Sequence, residues 1–383
     1  MISRQAESNL RLLANQFRSV AVIGPRQSGK TTLVRHVFNG KPYVSLENPD
    51  IRSYAMDDPR GFLSQYPDGA ILDEVQKTPD LFSYLQQRLD ESDTTGLFIL
   101  TGSNHFLLDE RISQSLSGRV GYLYLLPLTM REAGITSERS MNELMMKGFY
   151  PELWNPSQPM NSPMYFANYV RTYVERDVRQ VKNITDLYLF DRFLKLCAGR
   201  VGQLLNLSNL ANEIGVDVKT IGSWIGLLEA AFIAFRLYPH HRNFNKRLTK
   251  TPKLYFHDVG LASYLLGIRD ATQLDTHPLR GSLFENLIIS DILKTRYNQA
   301  NTDPLHFWRD HVGHEVDLIL ESGMELHPVE IKSGATIGDS MFDGLRYWKS
   351  LSGNPNGTLI YAGDMAQMRS EGIRVVPYRE MDF

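Results

Sequence analysis

The sequence predicts an α/β protein: a parallel, doubly wound sheet in the N-terminal third, then a helical connector, a helix-turn-helix with a wing, and a small terminal α/β unit. Three observations carry this. Short apolar runs bounded by Gly, Pro or polar residues alternate with segments of helical spacing through about residue 126, the pattern of parallel strands buried on both faces. The string GPRQSGKT at residues 24–31 stands between one such run and one helical segment. Beyond Leu128 helical spacing dominates until strand-like runs return after residue 231.

In order, residues 20–23, 43–46, 70–72 and 97–100 read as strands, with helices at 31–38 and 81–89 between them and a further strand at 120–126 closed by Pro127. In the connector, Tyr165, Tyr169 and Tyr173 share one face of a segment running to about residue 181, a spacing expected of core packing. Ser208 is the expected N-cap of a helix over 209–214 that ends at Gly215; Asp217 then caps a second helix running to about Ala231. Runs at 232–238 and 254–256 flank a polar loop and complete a wing. A helix over 283–293 and strands at 306–308, 315–320 and 329–331 form the last unit. The expected divisions are 1–135, 136–200, 201–276 and 277–383.

A chain of 383 residues accommodates two to three domains, and 42% hydrophobic with 22% charged residues, without low-complexity tracts or an obvious internal repeat, argues against a disordered chain or a solenoid. The net charge of −2 leaves no global field for nucleic acid or membranes, so any such affinity must be local. The opening MISRQAESNLRLL lacks the apolar core of a signal peptide, and the longest apolar run, 226–235, is broken by Glu229. A cytoplasmic protein without membrane contact is expected. Cys197, the single cysteine, allows neither an internal disulfide nor a cysteine zinc site and reads as a buried thiol in an apolar stretch.

The chemistry begins at the glycine-flanked string, which matches G-x-x-x-x-G-K-[ST] between a strand and a helix. Gly24, Pro25, Arg26, Gln27, Ser28, Gly29, Lys30, Thr31 and Thr32 are expected to cradle the phosphates of ATP. Lys30 would neutralise the β- and γ-phosphates, and Thr31 would offer its hydroxyl to magnesium. The run AILDE at 70–74 ends a strand in two carboxylates: Asp73 for magnesium, and Glu74 to polarise the attacking water. Ser103 and Asn104, where the next strand ends, are candidate γ-phosphate sensors. Arg119, after Ser117 and Gly118, is a candidate for stabilising transition-state charge, in cis or from a neighbouring subunit.

Together GPRQSGKTTL, ILDEVQ, LTGSN, SLSGRV with PLT, and RTYVERDV resemble the bacterial and archaeal AAA-type P-loop ATPases whose C-terminal half carries a winged helix and a restriction-endonuclease-like fold. The resemblance spans essentially the whole chain and implies an AAA-like core, ATP hydrolysis and a cytoplasmic home, without an agreed substrate. HEVDLIL at 314–320 and PVEIK at 328–332 resemble the metal strands of PD-(D/E)xK nucleases, with Glu285 on the preceding helix as the additional acid. That likeness implies Asp317 and Glu330 as magnesium ligands and Lys332 beside the water or scissile phosphate.

Strand alternation puts Glu330 and Lys332 on one face. With a turn at Ser322 and Gly323, Asp317 would lie opposite Pro328, about 7 Å diagonally from Glu330. Val316, Leu318, Val329 and Ile331 then point together into the core. A salt-bridged strand surface is the other reading. Arg236, Arg242, Lys246, Arg247, Lys250 and Lys253 make the wing basic, and with Lys219 or Trp224 on the second helix they could contact DNA; a solvated loop or a protein-docking surface is the alternative. Two functions therefore stand: an ATPase switch or motor coupled to a nucleic-acid-binding, magnesium-dependent nuclease module, or a signalling ATPase whose C-terminal domains are interaction modules. A nucleotide kinase lacks an acceptor-binding motif. The oligomeric state stays open.

Overall fold

A computed structural model describes residues 2–103, 115–135, 139–174, 186–241, 248–323 and 325–382. Helix α1 (Glu7–Gln16) leads into β1 (Ser19–Ile23), and the phosphate-loop string connects β1 to α2 (Lys30–Val37). Then come β2 (Tyr43–Ser45), α3 (Pro49–Asp57), α4 (Pro59–Ser64), β3 (Ile71–Asp73), α5 (Leu81–Asp90), β4 (Phe98–Gly102) and β5 (Val120–Tyr124). The five strands are parallel in the order β2-β3-β4-β1-β5. β1 and β4 are buried at every position, which is why both read as unbroken apolar runs. Because Ile23 pairs with both Gly102 and Tyr124, the carboxyl ends of β1, β4 and β5 align. The phosphate loop, Asp73 and Ser103 therefore leave the sheet along one edge.

The connector holds α6 (Met141–Lys147), started by a Ser140–Glu143 capping box, and α7 (Ser162–Tyr169), which runs into a π-helical turn at Val170–Val174. Tyr165 and Tyr169 are buried, as their spacing predicts; residues 175–185, and with them the expected end of that segment, lie outside the described residues. Helices α8 (Leu187–Ala198), α9 (Leu207–Ile214) and α10 (Val218–Ala230) follow. Asn206, not Ser208, caps α9, accepting from Asn209 N at 3.0 Å. Both residue types cap well, and the helix starts early enough to leave Ser208 inside its first turn. Gly215 ends α9 at φ 87°, and Asp217 caps α10. Burial pushes the Cys197 thiol well above its ordinary pKa, in keeping with an inert core cysteine.

Next are the antiparallel pair β6 (Ala234–Pro239) and β7 (Lys253–Phe256), helices α11 (Val259–Leu265) and α12 (Arg280–Asn298), and β8 (His306–Arg309), β9 (Glu315–Ser322) and β10 (Glu325–Lys332). The chain closes with α13 (Asp343–Ser352), β11 (Gly357–Tyr361), β12 (Gln367–Met368) and β13 (Ile373–Pro377). These strands form one mixed sheet in the order β12-β13-β11-β10-β9-β8-β6-β7. The hairpin joins because Tyr238 and Pro239 of β6 pair in parallel with His306 and Phe307 of β8. One sheet therefore crosses the division expected at 276/277, since strand edges left unpaired seek a partner. Among the described residues no helix is long and apolar enough to cross a membrane.

Candidate functional site

At the carboxyl edge of the parallel sheet, Lys30 is buried and donates from Nζ to the carbonyls of Gly24 (2.9 Å) and Pro25 (2.7 Å). Gly24 must lack a side chain, because a Cβ there would lie 2.1 Å from the Leu125 carbonyl oxygen. Gly29 starts α2 at φ 92°, a conformation glycine adopts without strain. Thr31 Oγ1 donates to the Asp73 carboxylate, 3.2 Å from each oxygen. The same carboxylate accepts from Tyr43 at 2.6 Å and from Thr101, and burial together with Asp73 pushes the Tyr43 hydroxyl up to about 12. Glu74 follows at φ 57°, accepting from Ser103 Oγ at 2.9 Å and from Gln76. Thr31 and Asp73 are hard oxygen donors side by side, a set that fits magnesium.

The structure thus brings residues 24–31 together with Asp73, Glu74 and Ser103, while Thr32 lies exposed on the first turn of α2. Asn104 lies outside the described residues. Arg119 is a correction in cis: it precedes β5, whose first residue pairs with Ser19 at the opposite end of β1. About 13 Å of strand separates that end from the loop. There Arg119 makes a bidentate pair with Asp90 at 2.5 and 2.9 Å.

Two residues that frame this site were missed in the sequence. Arg4, only 7% exposed, donates to the Ser28 carbonyl at 2.6 Å, to the Leu126 carbonyl at 2.8 Å and to Glu132 at 3.1 Å. Tyr165 reaches from α7 to Gln27, which sits at φ 62° on the loop. Both contacts join segments more than 20 residues apart and leave no local pattern.

A second cluster lies on the mixed sheet. One oxygen each from Glu285 of α12 and from Glu315 and Asp317 of β9 fall within 4.8 Å of one another. Asp317 stands directly across from Glu330, one step beyond the Leu318–Val329 pair, not across from Pro328. The expected register is two residues off because Ser322 pairs with Glu325, so the turn comes after Ser322. A shift of two preserves the faces, and Leu318, Val329 and Ile331 pack together as expected; Val316 is buried in a separate cluster with Trp308, Ile319 and Trp348, beside an irregularity in the β8–β9 pairing.

Lys332 Nζ lies 3.3 Å from Asp317 and 2.5 Å from Glu330, and Ile331 N donates to Asp317 at 2.8 Å. Lys253 of β7 pairs with Glu285 at 2.9 Å and touches Glu315, and Tyr255 donates to Glu285. Burial first, and Asp317 in addition, push Glu285 and Glu330 above the usual carboxylate range against the pull of the two lysines.

The basic wing is corrected in two places and the second helix in one. Lys253 is 3% exposed and faces these acids. Arg236 is bound to Glu229 at 2.8 and 2.6 Å. Trp224 packs edge-on against Phe190 and Phe193, in the core and not in a groove. Lys219 and Lys250 are exposed as expected; Arg242, Lys246 and Arg247 lie outside the described residues.

An AAA domain family matches residues 16–134, and two domains of unknown function, DUF8612 and DUF4143, match residues 138–272 and 280–381. The uncharacterized protein Rv2008c of Mycobacterium tuberculosis is 30% identical over 335 residues, 87% of this chain and 74% of that one. The uncharacterized protein MJ1637 of Methanocaldococcus jannaschii is 24% identical over 299 residues, 64% of this chain and 62% of that one. Among solved structures, the Walker-type ATPase PABY2304 of Pyrococcus abyssi aligns with a TM-score of 0.46 at 14% identity, over 69% of this chain and 96% of its own.

Proposed function

This chain belongs to the family of AAA-domain ATPases with a DUF4143 segment at the C-terminus, and from that premise we propose a magnesium-dependent ATP hydrolase acting as a switch on its own C-terminal half. The observation that carries the reading is the meeting of Lys30, Thr31, Asp73 and Glu74 at one strand edge. The loop backbone and the start of α2 offer N–H groups to the phosphates. Lys30, now held by the loop's own carbonyls, turns onto the β- and γ-phosphates. Thr31 and Asp73 would hold magnesium, which supplies charge neutralisation between those phosphates. Glu74, oriented by Ser103 and Gln76, takes a proton from the attacking water as ATP and water become ADP and phosphate.

Phosphate release and nucleotide titration test this. Lys30→Ala should lose both affinity and turnover. Glu74→Gln should keep affinity and lose turnover by about 100-fold or more. Unchanged turnover in Lys30→Ala sinks the reading.

For the C-terminal half, the interaction-module reading is favoured by the inward positions of Trp224 and Lys253 and the pairing of Arg236. Plasmid DNA should stay intact with magnesium or manganese. Duplex DNA as a ligand through exposed Lys219 and Lys250 is the second reading, and its signature is salt-dependent binding that stimulates ATP turnover. Binding without that salt dependence speaks against it.

A further inference from the structure

The carboxylate cluster on the mixed sheet has the composition of a divalent-ion site: Glu285, Glu315 and Asp317 bring one oxygen each together, and Lys332 links Asp317 to Glu330. The fit fails at one point: a cation of the chain's own already sits there. Lys253 Nζ is 2.9 Å from Glu285 Oε1 and in contact with Glu315 Oε1, two of the three acids whose oxygens gather within 4.8 Å. An oxygen cage for magnesium or manganese needs its ligands at about 2.0–2.2 Å from one centre. An ammonium bound to two of those three acids takes up their lone pairs and repels a second positive charge.

Lys253 does not come from the strands that carry the acids. It is delivered by β7, whose backbone is fastened on both sides: Leu205 N donates to the Pro252 carbonyl at 2.8 Å, and Gly202 N donates to the Leu254 carbonyl at 2.8 Å. Its side chain is 3% exposed, and Nζ lies 5.4 Å from the Phe307 ring centroid. The lysine therefore cannot swing into solvent while the hairpin keeps its place. On the other flank Lys332 occupies Asp317 and Glu330. Arg309 pairs with the second oxygen of Glu315 at 2.6 Å, so each of the four acids has a cation of the chain's own beside it. A buried acid cluster stripped of that compensation is strongly destabilised.

We propose that the Lys253 ammonium is the resident cation of this centre, so that the chain, with its hairpin seated, binds no divalent metal among Glu285, Glu315 and Asp317. The centre then acts as a clamp fastening the hairpin to α12 and β9.

The test is manganese binding read by electron paramagnetic resonance in full-length, nucleotide-free protein carrying Asp73→Asn, which takes the ATP-site carboxylate out of the count. That protein should show no bound Mn2+ that disappears when Asp317→Asn is added. Adding Lys253→Met instead should create one Mn2+ site, lost again with Asp317→Asn, and Mn2+ should raise the melting temperature of the Lys253→Met protein only. A bound Mn2+ sensitive to Asp317→Asn while Lys253 is intact overturns the proposal, and that arm needs no folded Lys253 variant. A folded Lys253→Met protein that gains no Mn2+ overturns it equally. Nucleotide plays no part, so a failed ATPase reading would leave the result interpretable.

Discussion

Tyr165 donates its hydroxyl hydrogen to Gln27 Oε1 across 2.6 Å, so a helix of the connector holds the crown of the phosphate loop. The ring is buried, 5.7 Å from Tyr150 and 6.0 Å from Tyr169. Tyr165→Phe keeps the ring packing and removes the bond to Gln27, at a cost of about 1 kcal/mol. Denaturant unfolding should show that modest loss, while titration with a fluorescent ATP analogue should show a several-fold change in Kd. An unaltered Kd would mean that the loop does not feel the connector.

Gly24 and Gly40 make a paired test. A methyl at Gly24 collides with the Leu125 backbone at 2.1 Å, whereas one at Gly40 meets nothing within 4 Å. Gly24→Ala should lower stability by about 1–3 kcal/mol and abolish nucleotide binding. Gly40→Ala should be close to neutral by thermal melting.

Asp291 gives a pH signature. It is buried on α12, accepts from Met130 N at 2.6 Å, and burial raises its pKa to about 6 although Lys294 pulls the other way. The folded state therefore holds this proton more tightly than the unfolded chain does, for which about 3.9 is usual. Its ionisation opposes folding: the group's contribution to stability falls as pH rises from about 4 to 6 and recovers as pH drops. Asp291→Asn should flatten unfolding free energy against pH across that window; a slope equal to wild type would show that another group titrates there.

Arg119→Ala should leave ATP turnover unchanged in dilute protein, because the residue sits at the far end of β1 and β5 from the phosphate loop. A large fall in kcat that depends on protein concentration would instead point to its use on a neighbouring molecule.

The phosphate site was legible because its chemistry is local: eight consecutive residues and a strand ending in two acids. The shared face of Leu318, Val329 and Ile331 was legible for a different reason, since alternation fixes it under any even shift of register. Register itself was not, because the step between the expected and observed pairing is decided by where one turn closes. Charged residues misled most. Lys253 reads as part of a basic loop, and its partners Glu285 and Glu315 lie 32 and 62 positions further on. Only packing reveals that such a lysine points inward. Trp224 misled likewise, because a helix exposing Lys219 still needs an apolar face to bury.

Helix α12 runs unbroken over 19 residues without an internal proline. Near its tail, Asn298 donates to Glu132 at 3.2 Å, the acid that also anchors Arg4 beneath the phosphate loop. About 20 Å toward its head, Glu285 grips Lys253. The two chemical centres are thus bolted to opposite ends of one stiff beam. A tilt large enough to loosen the grip at one end must be felt at the other, so neither half can shift along this axis alone.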